Sequence, residues 1–128
     1  MMPKDMAEKR PLAKSVTPAD IEAAAKRIAG GIYRPPCPPS IPLSELTGGE
    51  IYCKLALLQR TGSFKERGAR NALLLLDESQ RARGVIAASA GNHALGLAYH
   101  GRLLGIPVTV VMPRFAPLVK VATCRRLG

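Results

Sequence analysis

From Gly84 onward, short apolar runs alternate with longer stretches patterned for helix. Gly84 to Ala88 and Val108 to Met112 read as strands, and Asn92 to Leu104 between them as a helix. A helix joining two such strands is the connection that parallel neighbours require, because a tight hairpin can join only antiparallel ones. The segment therefore predicts an α/β fold built on a parallel sheet with crossover helices. Both runs are apolar at successive positions, which predicts strands covered on both faces. Upstream, Ile51 to Leu55 reads as a further short strand and Glu66 to Leu76 as a helix. Downstream, Pro117 opens a last helix that Gly128 closes.

The amino-terminal half is punctuated differently. Thr17 is placed to cap a helix, with Pro18 at its first position and Asp20 three residues after the cap. Ile21, Ala24, Ala25 and Ile28 give that helix an apolar stripe, and Gly30 with Gly31 ends it. Prolines crowd the stretch from Pro35 to Pro42, removing amide donors and fixing φ, so an extended arm is expected there. At 128 residues the chain has room for about one domain. The predicted layout is a flexible tail over 1–16 and a domain over 17–128. The domain comprises the helix at 17–30, the proline-rich arm at 35–42 and the α/β unit at 51–128.

Several function classes fit poorly. No apolar run reaches the length of a membrane span, and the opening MMPKDMAEKRPLAKS mixes acidic with basic residues and lacks a secretory apolar core. Cys37, Cys53 and Cys124 are odd in number, with no CxxC pair and no histidine cluster, so neither a disulfide framework nor a metal site is expected. Reduced thiols and a cytoplasmic location follow. Nineteen Lys and Arg against nine Asp and Glu leave a net charge of +10. That charge is scattered, and only Tyr33, Tyr52, Tyr99, Phe64 and Phe115 are available to stack on bases, so nucleic acid is not an expected partner.

Two loops fall at carboxyl ends of predicted strands, where open α/β sheets place their ligands. Ser89, Ala90, Gly91, Asn92 and His93 form the first; Pro113, Arg114 and Phe115 form the second. The first also reads as an ordinary turn into a helix, with Ser89 or Asn92 as cap. The other candidate is Thr61 to Ala69, where a glycine turn and two hydroxyls precede a helix start. Lys65 stands there beside the large apolar Phe64. A lysine held in an apolar crevice loses its proton more readily and offers its amine to a carbonyl. A solvated surface lysine is the plainer alternative. His100 reads as a packing or solvent-facing residue, Gly96 and Gly101 as points where the helix nears the sheet, and Cys124 as a small core residue.

The stretches TGSFKERGARNALLLL and GVIAASAGNHALGLAYHGRLLGIPVTVVMPRFAPLVK resemble the amino-terminal part of the catalytic domain of threonine dehydratases. These serine/threonine ammonia-lyases are fold type II pyridoxal-phosphate enzymes related to tryptophan synthase beta chain. The resemblance runs from about Ile41 to Gly128. It implies pyridoxal 5'-phosphate bound covalently by Lys65, with Phe64 lining the ring and Asn92 donating to the cofactor's phenolic oxygen. Ser89, Gly91, Asn92 and His93 match the loop that receives the substrate carboxylate. A small hydroxy amino acid is the implied substrate, L-threonine or L-serine, giving 2-oxobutanoate or pyruvate and ammonia.

Within that family, serine racemases carry a serine where Ala90 stands and cysteine synthases a threonine where His93 stands, which ranks elimination above racemisation and replacement. Ala56 and Pro36 depart from the family's usual Glu and Thr. The resemblance also calls for a further sheet, a glycine-rich phosphate cradle and a partner for the pyridine nitrogen, and none is found in the chain. It is therefore expected to be one part of such a domain, binding cofactor weakly by itself. A serine racemase-like enzyme is one alternative. Another is a non-catalytic truncated form that associates with a full-length homologue; a homo-oligomer or association with a longer homologue is the expected protein partnership.

Overall fold

The computed structural model describes residues 15–128, so most of the tail expected over 1–16 lies outside the described residues. Helix α1 spans Pro18–Ile28 and begins at the expected cap. The Asp20 backbone N–H donates to Thr17 Oγ1, and Asp20 Oδ2 accepts from the Thr17 backbone N–H at 2.8 Å. Only Ile28 of the stripe is buried; Ile21 is exposed. A single-turn 3-10 helix, Ala29–Gly31, ends the element.

The proline-rich arm is paired as well as extended. In place of a strand over Ile51 to Leu55 there is a single antiparallel bridge, Pro39 to Tyr52. Around it Cys53 and Leu55 donate to the carbonyls of Pro38 and Pro36, and Ser40 donates to that of Ile51. Proline carbonyls accept but proline nitrogens cannot donate, so the ladder is one-sided and stops short of a strand. Side chains complete the attachment: Lys54 donates to Pro35 O, Gln59 to Tyr33 O and Arg60 to Gly31 O.

Two helices were not anticipated. Helix α2, Ile41–Thr47, accommodates Pro42 in its first turn, where a missing N–H costs nothing. The helix expected over Glu66 to Leu76 is α3 (Lys65–Leu74), and a separate helix, α4 (Glu78–Arg83), follows it. The break is set by Asp77, whose carboxylate caps Gln80 N while the Gln80 side chain returns to Asp77 N.

Strand β1 (Val85–Ala88), helix α5 (Asn92–Leu104) and strand β2 (Val108–Val111) follow as expected. The strands are parallel, with Val85 opposite Val108 and Ala88 opposite Val111. Helix α6, Leu118–Leu127, closes the chain. Helix α5 is the centre of the fold. On one side Leu97 joins Ala69, Leu73 and Ile106 over Val85, Ala87 and Val108. On the other, Ala94, Leu95 and Ala98 pack on Cys124 with Val110 and Met112.

The expectation of strands covered on both faces is corrected. These helical contacts meet one face of the sheet, and Ile86 and Val111 on the other are 77% and 55% exposed. Gly96 is likewise reassigned. A methyl there would fall 3.2 Å from Glu66 Cα, so this glycine brings α5 against α3, whereas Gly101 faces β2.

Candidate functional site

At the carboxyl ends of β1 and β2 lies an open crevice of about 450 Å³, lined by Ala88, Ser89, Ala90, Val111, Met112 and Pro113. A larger cleft of about 590 Å³ flanks β2 and α6; Pro113 and Arg114 of the second loop line it, but Lys65 and the Ser89 loop do not. Ser89 N still donates to Val111 O, extending the strand pairing by one residue before the chain turns into α5. The cap of α5 is Gly91, without any side-chain capping bond, so neither Ser89 nor Asn92 fills that role. Ser89 Oγ instead accepts from Gly91 N at 3.3 Å.

The first-turn amides of a helix have no partner within it, and here no side chain caps them. They carry the positive end of the helix dipole, which favours an anion. A methyl at Gly91 would meet nothing within 4 Å. The space beside these amides is open, and His93 in the first turn is exposed. Asn92 is also exposed, and its Oδ1 accepts from Lys120 Nζ at 3.0 Å. An ammonium group can only donate, so this contact assigns the amide orientation and leaves Nδ2 free to donate elsewhere.

Lys65 opens α3 and is exposed, with Nζ 5.1 Å from the centroid of the Phe64 ring. Phe64 itself is 61% exposed. The turn before them is built by Gly62, whose φ of 78° suits glycine and whose N–H donates to Gln59 O. Buried Thr61 and Ser63 flank that glycine. Because Gly96 rests on the Glu66 backbone, the first turn of α3 is set beside the start of α5. Lys65 and the Ser89 loop thus belong to one end of the molecule.

Sequence reasoning did not single out Glu66 or Lys120, and it read His100 as packing or solvent-facing. Glu66 and His100 are both wholly buried. Glu66 Oε2 accepts from Thr61 N at 2.9 Å and Thr61 Oγ1 at 3.1 Å, while Oε1 lies 3.3 Å from His100 Nε2 and 3.7 Å from Arg60 Nη1. Spacing carried a signal, since Glu66 shares the buried face of α3 with Ala69 and Leu73, three and seven residues on. Among the described residues no group of three or more His, Cys, Asp or Glu could hold a metal ion. No described helix is long and apolar enough to cross a membrane.

Residues 28–128 match the family of pyridoxal-phosphate dependent enzymes. The chain belongs to that family, and within it the chain is related to the threonine and serine ammonia-lyases. It is 51% identical over 113 residues to an L-threonine ammonia-lyase of Thermotoga maritima, covering 88% of this chain and 28% of that one. An L-threo-3-hydroxyaspartate ammonia-lyase of Pseudomonas sp is 50% identical, over 85% of this chain and 34% of its own. The crystal structure of serine racemase from Dictyostelium discoideum superposes with a TM-score of 0.84 at 42% identity, covering 88% of this chain and 37% of that one. The chain thus spans about a third of the length of the relatives it matches. Pyridoxal phosphate is the cofactor of the family.

Proposed function

We propose that this chain carries the cofactor lysine and the substrate-carboxylate loop of a cytoplasmic ammonia-lyase that eliminates the β-hydroxyl of L-threonine or L-serine as water, the released enamine then taking up water to give 2-oxobutanoate or pyruvate and ammonia. The observation supporting this most directly is the uncapped start of α5, open at Gly91, set beside the turn that presents Lys65. The cofactor fits the residues present: an exposed amine next to an aromatic ring, and an Asn92 amide whose donor side is free. When bound, the cofactor supplies an electron sink for the pair left by the departing α proton.

The remaining roles fall to the chain. Lys65 Nζ holds the cofactor and takes the α proton, and Phe64 shields one side of the ring. Asn92 Nδ2 donates to the cofactor's phenolic oxygen. The amides of the Ser89, Gly91, Asn92 and His93 loop bind the substrate carboxylate and hold the α carbon near Lys65, and such positioning supplies much of the rate in reactions of this kind. Ala90 has no proton to deliver from the opposite face, which favours elimination over racemisation.

Mixing the purified chain with pyridoxal phosphate, reducing with borohydride and mapping the adduct by mass spectrometry tests the reading. The label is expected on Lys65 and lost in Lys65→Ala, with keto-acid release from L-threonine as the second readout. A label spread over surface lysines and unchanged by Lys65→Ala would refute it. A second reading, association with a longer homologue or another copy without catalysis, is favoured by the open outer face of the sheet. Copurification with a longer relative and no cofactor absorbance would support it.

A further inference from the structure

We propose that Arg70, His100, Glu66 and Thr61 form a buried polar relay that holds the Lys65 turn against α5, with His100 neutral and protonated on Nε2, so that acid releases the turn. Its consequence for the amine rests on the reading of Lys65 above; the relay itself does not.

The assignment follows from donor chemistry. Arg70 Nη1 lies 3.4 Å from His100 Nδ1, and a guanidinium can only donate. Nδ1 must therefore be the accepting nitrogen, and the neutral ring carries its proton on Nε2. That nitrogen faces Glu66 Oε1 at 3.3 Å, a buried polar contact outside hydrogen-bond geometry, and neither atom has a hydrogen-bond partner. Glu66 is left with Oε2 to gather both the backbone N–H and the hydroxyl of Thr61, five residues back across the turn. One carboxylate thus closes the turn that presents Lys65, and one imidazole on α5 fixes that carboxylate. The first turn of α5 carries the open amides, so the relay sets the amine and the anion site relative to each other.

Protonating His100 would point an Nδ1–H at the Arg70 guanidinium. Three charged groups face the ring: Glu66 and Arg70 from α3, and Arg60 from the segment before it. Tyr99 adds only an aromatic edge, 5.0 Å between centroids. Burial and Arg70 disfavour the charged ring and outweigh the attraction of Glu66, so its pKa is lowered. His100 is a positioning residue, acting on Lys65 through Glu66 and the turn.

The decisive measurements need no cofactor. Nitrogen chemical shifts of the wild-type chain at neutral pH should report an Nε2–H tautomer. Hydrogen-exchange protection of the Thr61 amide should fall about tenfold or more in His100→Phe, which fills the space without a donor. It should be retained in His100→Gln, which keeps a donor and cannot titrate. Lowering the pH below about 6.5 should reduce that protection in the wild type and leave His100→Gln flat. The ratio of borohydride-trapped label on Lys65 between wild type and His100→Gln should drop over the same range.

An Nδ1–H or protonated ring at neutral pH, or Thr61 protection unchanged in His100→Phe, overturns the relay. If Thr61 responds as stated but Lys65 takes no label at any pH, the relay stands and the cofactor reading falls.

Discussion

His100 loses all contact with water on folding, and the price of burying it is a charge state it can no longer adopt easily. Its folded pKa lies below the ordinary 6.5 because burial disfavours the cation. As pH falls, the unfolded chain binds the proton first. The stabilisation from keeping the ring neutral is therefore complete above 6.5 and is lost as pH drops from there toward the lowered folded value. Asp20 and Asp77, each held below 3.8 chiefly by hydrogen bonds, lose their contributions only in stronger acid. Melting temperature should thus show an upper acid-sensitive step that His100→Gln removes and a lower one that it leaves. Thermal melts from about pH 2 to about pH 8, spanning the carboxylate and histidine ranges, check this, and an identical upper step in both proteins would contradict it. The residues proposed for the site announce chemistry by type in the sequence: Lys65, Asn92 and the Ser89 loop. For Glu66 the spacing to Ala69 and Leu73 marked the buried face, but its partner Thr61 could not be read until the turn's geometry was known.

Helix α5 was read with its observed ends, Asn92 and Leu104, because glycines mark both boundaries. The assignment of its inner glycines was only half right, for a geometrical reason. Positions 96 and 101 differ by five residues, roughly 140° around a helix, so they cannot face one surface. Gly96 meets α3 and Gly101 meets β2. A methyl at position 101 would come within 2.3 Å of Val108 Cγ2 and 2.9 Å of Ile106 O, the second a backbone atom with little freedom to retreat. Gly101→Ala should therefore cost about 1–3 kcal/mol despite alanine's better helix propensity. Urea unfolding measures it, and an unchanged or raised midpoint would show that β2 can give way. Elsewhere local chemistry overrode pattern. The run from Ile51 to Leu55 has strand composition, yet its neighbour is a proline arm that offers carbonyls and few donors. Helices α2 and α4 depend on first-turn details, Pro42 and the Asp77 cap, that an apolar-period reading passes over.

At the scale of the whole molecule, the layer count decides how the chain behaves in solution. Its two parallel strands bury one face beneath α3, α5 and α6, and leave Ile86, Ala88, Thr109 and Val111 on the other. Parallel sheets ordinarily have both faces covered, and two strands alone are marginal. The apolar composition of both faces, read correctly from the sequence, is therefore only half satisfied by the contacts among the described residues. The net charge of +10 opposes contact between copies at low ionic strength, and salt screens that repulsion without weakening apolar association. The purified chain should self-associate through the outer face, more strongly as salt is raised. The double substitution Ile86→Lys with Val111→Lys should keep it monomeric while leaving the helical circular-dichroism signal intact, since both side chains are already exposed. Sedimentation equilibrium across a salt series separates the possibilities. Association that weakens with salt would assign the contact to charge, and association that persists in the double variant would place it on another surface, such as that around Phe115 and Leu118.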